Sequence, residues 1–213
     1  MHLARYKWIQ RELEKLKVDF TSVFELGCFD GKLIDWLPER EFRYVGMDAN
    51  WDGGLDIAWE KYADHPEYEF IESSTPEELP DKEKFDISVS METLEHVNPA
   101  QLDAFLQRLA NLTGQYCFVT VPNEIGPVFF AKNIVKMFMG SSRNYSFKEF
   151  FYHCLGRTDC VSNPKGGHKG FSYLQFIREF KEHFELVKTV GIPNSILPPY
   201  LNFGVGLIGR PKK

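Results

Sequence analysis

Four groups of polar residues stand at the ends of short apolar runs: Glu25 to Gly31 (ELGCFDG), Asp48, Met91 to His96 (METLEH), and Asn123 with Glu124. Carboxylates, histidines and a glycine-bearing turn in such a series could seat a ligand and take up a proton. A dinucleotide would need GxGxxG, which lets a helix N-terminus meet a pyrophosphate. The chain has Gly27, Phe29 and Lys32 at those places, so two of the three glycines are missing. A ligand without phosphate asks for less: a turn that lets the backbone approach, and a carboxylate about 20 residues on to accept from ribose hydroxyls. Asp48 lies 17 residues after Gly31, which fits an adenosine compound without phosphate. Asp is also favoured in turns and caps, and that reading of Asp48 stays open. Glu25, inside an apolar run, needs partners, and the backbone N–H groups of the loop that follows could supply them.

These groups must be positioned by the elements around them. Val23, Phe24 and Leu26 read as a short buried strand, Gly27 to Gly31 as a turn, and Leu33, Ile34, Trp36 and Leu37 as one face of a helix. FRYVGMDAN (residues 42 to 50), YEFIESS (68 to 74), FDISVSM (85 to 91) and YCFVTV (116 to 121) give four further strands. Asn98, Pro99 and Gln101 supply an N-cap, a first-turn proline and a box-closing glutamine for a helix carrying Leu102, Phe105, Leu106 and Leu109. Ser172 and Gln175 read as a second capping box, opening a helix to about His183, and FELVKTV and NFGVGLIG make two last strands, hairpin-like. Short apolar strands alternating with amphipathic helices predict an α/β fold: a Rossmann-like, doubly wound, mostly parallel seven-stranded sheet, in one domain over residues 1–213. In such a sheet ligands bind beyond the carboxyl ends of the strands, so the four polar groups should converge on one crevice.

Residues 126 to 170 break this rhythm after strand five. PVFFAKNIVKMFM puts Lys132 and Lys136 four apart on an otherwise apolar helix, and a second aromatic run, FKEFFYHCLG, follows. The stretch reads as a helical lid over a substrate, as aromatics packed on the sheet edge, or as a membrane-surface helix. It holds 7 Lys+Arg against 2 Asp+Glu, whereas residues 1 to 125 hold 12 against 25. An acidic body argues against general nucleic-acid binding, while the basic stretch allows a local anion site. No run approaches the roughly 20 apolar residues of a membrane span, and the charged amphipathic start is unlike a signal peptide. A cytoplasmic protein with reduced cysteines is expected, because the four cysteines include no CxxC pair. Cys154, Cys160, His153 and His168 match no regular zinc spacing, so no metal is expected.

ELGCFDG followed by GMDAN, then FDISVSMETLEHV and FVTVPNE, resembles the motif series of the class I S-adenosylmethionine-dependent methyltransferases over roughly residues 20 to 125. The resemblance implies S-adenosylmethionine as cofactor, held by Glu25, Gly27, Cys28, Phe29, Gly31, Asp48, Ala49, Ser74, Met91 and Glu92. It implies that Glu25 to Gly31 wraps the methionine part, that Asp48 binds the ribose hydroxyls, and that Met91 and Glu92 line the site near the sulfonium. Phe29 stands where the family usually has glycine, so the loop must turn its backbone differently. Ser74 aligns with an acidic residue of the family, with Glu72 and Glu77 nearby. Methyl transfer needs alignment, exclusion of water and sometimes removal of a proton, but no nucleophilic side chain. Candidate bases are His168, His96 and Glu124, with His153 further back; each histidine also has a structural reading, and Glu95 reads as part of a solvated loop. The expected acceptor is a small molecule, flat or apolar and carrying negative charge. The rival reading is an inactive methyltransferase-like module that binds a partner or membrane through the lid helix.

Overall fold

Val23 and Phe24, adjacent in sequence, are both fully buried because they point into different cores on opposite faces of one sheet. The structure is a computed structural model that describes residues 2–80, 83–138, 145–161 and 167–212. Its strands are β1 (Ser22–Leu26), β2 (Arg43–Asp48), β3 (Tyr68–Glu72), β4 (Phe85–Met91), β5 (Thr113–Pro122), β6 (Phe184–Ile192) and β7 (Gly204–Pro211). They form one sheet in the order β3-β2-β1-β4-β5-β7-β6. The first five are parallel, and β7 lies antiparallel to both β5 and β6. Leu26 stands level with Met47 on one side and Ser90 on the other, so β1, β2 and β4 end side by side.

One face is covered by α3 (Pro99–Leu112) and α6 (Tyr173–His183), whose Phe105, Leu106, Leu109, Phe176 and Phe180 pack on Phe24, Met47 and Phe85. The other is covered by α1 (His2–Leu16), where Trp8, Ile9 and Leu13 recur at helical spacing against Val23, Val89 and Phe118. No helix among the described residues is long and apolar enough to cross a membrane.

The helix expected after Gly31 is only a 3₁₀ turn, Lys32–Trp36. Leu37 precedes Pro38, whose ring disfavours a helical residue before it, and Leu37 is accordingly extended with φ −77° and ψ 155°. A helix not singled out in the sequence, α2 (Gly54–Lys61), fills the β2–β3 connection instead. Asn98 caps α3 by accepting from the Ala100 N–H at 3.0 Å. Neither expected box closes: no side-chain cap forms at Ser172, and Gln101 turns to the cleft described below. A complete box joins Ser146 and Glu149 at the start of α5 (Phe147–Cys154), a signal legible as S-F-K-E.

The insertion after β5 begins with α4 (Gly126–Phe138) and continues in α5; residues 139–144 and 162–166 of it lie outside the described residues. It is fastened by His153, fully buried and stacked on Phe129 at 4.6 Å. The His153 Nε2 accepts from the Gly170 N–H at 3.1 Å, which puts the ring proton on Nδ1, donated to the Glu124 carbonyl at 2.7 Å. Burial pushes this imidazole below its ordinary 6.5. Below that pH the unfolded chain takes up a proton that the folded ring resists, so acidification costs stability. Melting temperature should therefore fall between pH 7.5 and 5.5 by more in the wild type than in His153→Gln; equal pH dependence would contradict the neutral tautomer.

Candidate functional site

Beyond the carboxyl ends of β1, β2 and β4 lies a cleft of about 940 Å³, within the range of small-molecule sites. Asp48, ending β2, organises its first wall. One carboxylate oxygen accepts from the Phe29 N–H at 3.0 Å and the other from the Asn50 N–H at 2.8 Å. A carboxylate offers about four acceptor positions, so roughly half stay available for ligand hydroxyls. The loop between β1 and the 3₁₀ turn is held against β2 by the Gly27 N–H, donated to the Met47 carbonyl at 2.7 Å.

Three residues of that loop are left-handed: Gly27 at φ +79°, Phe29 at +48° and Gly31 at +68°. At Gly27 a side chain has no room, since a Cβ would stand 1.9 Å from the Thr93 Oγ1. Phe29 keeps the backbone turn that the usual glycine would take. Its ring packs over Gly54 at the start of α2, where a Cβ would come within 2.3 Å of it. Left-handed backbone costs a non-glycine residue about 1–2 kcal/mol, which the ring's seat and the bond to Asp48 offset.

Glu25 is buried and finds its partner in the Tyr44 hydroxyl, not in the loop's backbone N–H groups as expected. Burial outweighs that hydrogen bond and raises its carboxyl to about 8. Cys28 is buried against Gly46, and its thiol is pushed well above the ordinary range by burial and then by Glu25. Ala49 and Ser74 lie on the rim, Ser74 exposed, while Met91 and Glu92 line the floor, Glu92 at φ +55°. Glu72 turns aside to the Asn50 amide at 3.3 Å.

The opposite end is lined by His96 and His168, whose rings meet edge to face at 5.1 Å. The His168 Nδ1 stands 3.3 Å from the Glu124 Oε1, and the Lys132 ammonium binds the same carboxylate oxygen at 2.7 Å. Burial would raise Glu124, but the hydrogen bonds from His168 and Lys132 prevail and hold it below its usual value. His96 is lowered by burial and then by the neighbouring His168. All three candidate bases are thus brought together, while His153 fastens the insertion and does not line the cleft.

Among the described residues of the insertion only His168 lines the cleft. Three expectations fail here. Lys132, expected to meet an anionic acceptor, is taken by Glu124. Glu95, read as part of a solvated loop, is 2% exposed. Its carboxyl is pushed well up by burial and then by Glu92. Asn123, grouped with the site residues, is fully buried and donates its backbone N–H to the Phe203 carbonyl at 2.9 Å, tying β5 to the β6–β7 connection.

Sequence reasoning also missed the wall made by Leu3, Arg5 and Tyr6 of α1. The available signal is Arg5 itself, a cation at the start of a helix preceding β1 in a chain whose strand ends carry Glu25, Glu92 and Glu95. Its charge opposes the upward shift of all three.

Residues 23–115 match a family model described as a methyltransferase domain. A search of curated proteins found no match. The fold is similar to that of an S-adenosylmethionine-dependent methyltransferase from Clostridium acetobutylicum, with TM-score 0.70 and 10% identity over 100% of this chain and 93% of that one. It is similar to the N-methyltransferase NodS from Bradyrhizobium japonicum in complex with S-adenosyl-L-homocysteine, with TM-score 0.59 and 11% identity over 97% and 87% of the two chains. A third similar structure is magnesium protoporphyrin IX methyltransferase from Synechocystis with bound S-adenosylhomocysteine, with TM-score 0.59 and 15% identity over 99% and 84%. These likenesses concern the fold. The family match spans β1 to the start of β5, the segment that carries the Gly27 turn, Asp48 and the floor of the cleft, so that over this segment the chain is similar to a methyltransferase domain.

Proposed function

We propose that the chain methylates a small-molecule acceptor that reaches the cleft at its histidine end, with the cofactor held by Glu25, Gly27, Cys28, Phe29, Gly31, Asp48, Ala49, Ser74, Met91 and Glu92. The observation that carries this is one continuous cleft joining the Gly27–Asp48 wall to the His96–His168 wall. Bound S-adenosylmethionine supplies a methyl group already activated on a sulfonium. The chain's own work is then to align, to exclude water and to assist loss of the acceptor's proton. Asp48 accepts from hydroxyls, Gly27 gives close approach of backbone, and His168, oriented by Glu124, faces the acceptor beside His96.

The test is transfer from methyl-labelled S-adenosylmethionine to size-separated cell extract. Label should appear in low-molecular-weight fractions and vanish with Asp48→Ala; label confined to macromolecules would contradict a small acceptor.

Glu25 gives a second check. Because its folded value is about 8 against an ordinary 4.5, the free protein loses stability as pH rises through that window, and near pH 7 the group carries a proton. A cationic ligand in the cleft favours the carboxylate, so binding of S-adenosylhomocysteine, whose amino group is cationic, should release protons at pH 7. Calorimetry in buffers of different ionisation enthalpy reads this directly, and Glu25→Gln should abolish it. Equal heats in all buffers for the wild type would remove Glu25 from the ligand's surroundings.

A further inference from the structure

The carboxylate of Glu95 is 2% exposed, and neither of its oxygens has a hydrogen-bond partner. The His96 Nε2 stands 3.8 Å from Glu95 Oε1, too far for a hydrogen bond. A buried carboxylate left in this state costs several kcal/mol, and nearby Glu92 and Glu124 make it worse. A cation would relieve all three.

The two rings beside it are suited to hold one. One ligand atom each from Glu95, His96 and His168 lie within 4.8 Å of one another. Ligands sharing an ion at about 2.1 Å stand at most about 4.2 Å apart, so closure needs side-chain adjustment of roughly an ångström. The His168 Nδ1 faces Glu124, which is itself fixed by Lys132, and this leaves the Nε2 for the ion. A carboxylate behind a ligating imidazole is the usual outer support of such sites. Loop and fold bring the three together from different places, since Glu95 and His96 follow β4 and His168 precedes α6.

We propose that Glu95, His96 and His168 bind one divalent transition-metal ion at the acceptor end of the cleft, with open positions that take an oxygen of the acceptor. This departs from the expectation of no metal, which rested on cysteine and histidine spacing alone. Two imidazoles and one carboxylate suit manganese, cobalt, iron or zinc better than calcium or magnesium. The acceptor class is a hydroxyl compound. Coordination lowers the hydroxyl's pKa, its proton leaves to water, and the resulting oxygen attacks. The bond from oxygen to the methyl carbon forms as the bond from sulfur breaks, with sulfur keeping the electron pair. Only this chemical role rests on the proposed function; the binding site does not.

The test uses the full chain freed of metal with a chelator and titrated with CoCl₂, read by calorimetry and by the visible bands of bound cobalt. One ion per chain is expected, with affinity weakened about tenfold or more in Glu95→Gln, His96→Ala and His168→Ala. His168 is about half exposed, so His168→Ala should fold normally and still bind S-adenosylhomocysteine, which is measured in the same samples. No cobalt binding by the wild type at millimolar metal, or binding that all three variants leave unchanged, overturns the site. Loss of S-adenosylhomocysteine binding by the wild type would instead overturn the cofactor assignment.

Discussion

Replacing Asp48 with alanine is expected to weaken S-adenosylhomocysteine binding by about 100-fold or more. The carboxylate holds the Phe29 and Asn50 N–H groups and is the acceptor proposed for the ribose hydroxyls. Hydrogen bonds to a charged group contribute about 1.5–3 kcal/mol each, and a factor of 100 corresponds to about 2.8 kcal/mol. The loss has two parts, the direct contact to ligand and the tether of the loop. Asp48→Asn separates them, since an amide oxygen keeps one acceptor while the NH₂ faces a backbone donor. Calorimetry should give the asparagine variant an intermediate affinity. A loss under fivefold in Asp48→Ala would show that the carboxylate does not meet the ligand.

Gly27→Ala should remove measurable cofactor binding and lower the melting temperature by roughly 5–10 °C, as expected for about 2–3 kcal/mol in a chain of this size. Two costs combine: a left-handed φ of +79°, and a Cβ 1.9 Å from the Thr93 Oγ1. Adding Thr93→Ala removes the hydroxyl and methyl that collide but leaves the backbone strain. The double variant should therefore regain part of the lost melting temperature and not all of it. Full recovery would assign the whole effect to Thr93, and an unchanged melting temperature in Gly27→Ala would mean that the loop can shift freely.

The strands and the crevice were legible in the sequence because two-sided burial leaves runs such as Val23–Leu26 and Ile87–Val89 that few other arrangements explain. Asp48 was legible because a lone carboxylate ending an apolar run has few other places to go. The pairing of His168 with Glu124 was not legible, since the two stood only as separate candidate bases and tertiary packing decides that they meet. What escaped is what long-range contacts decide. Tyr44, 19 residues from Glu25, satisfies the acid that local backbone was expected to satisfy. Glu95 reads as solvated by its charge, yet the packing around METLEHV buries it. Arg5 and Tyr6 belong to a helix whose pattern announces amphipathicity but not which crevice its first turn borders. The failed helix at Leu33 was readable after all, since Pro38 forbids the conformation the apolar spacing requests.

The fold, the Gly27 turn and the open cleft all bear on one central claim, that this cleft is the cofactor's seat. The most direct measurement is calorimetric titration of the wild-type chain with S-adenosylhomocysteine near neutral pH. The account predicts one site per chain with a dissociation constant on the order of micromolar, equivalent to about −8 kcal/mol; no binding at millimolar ligand would contradict it.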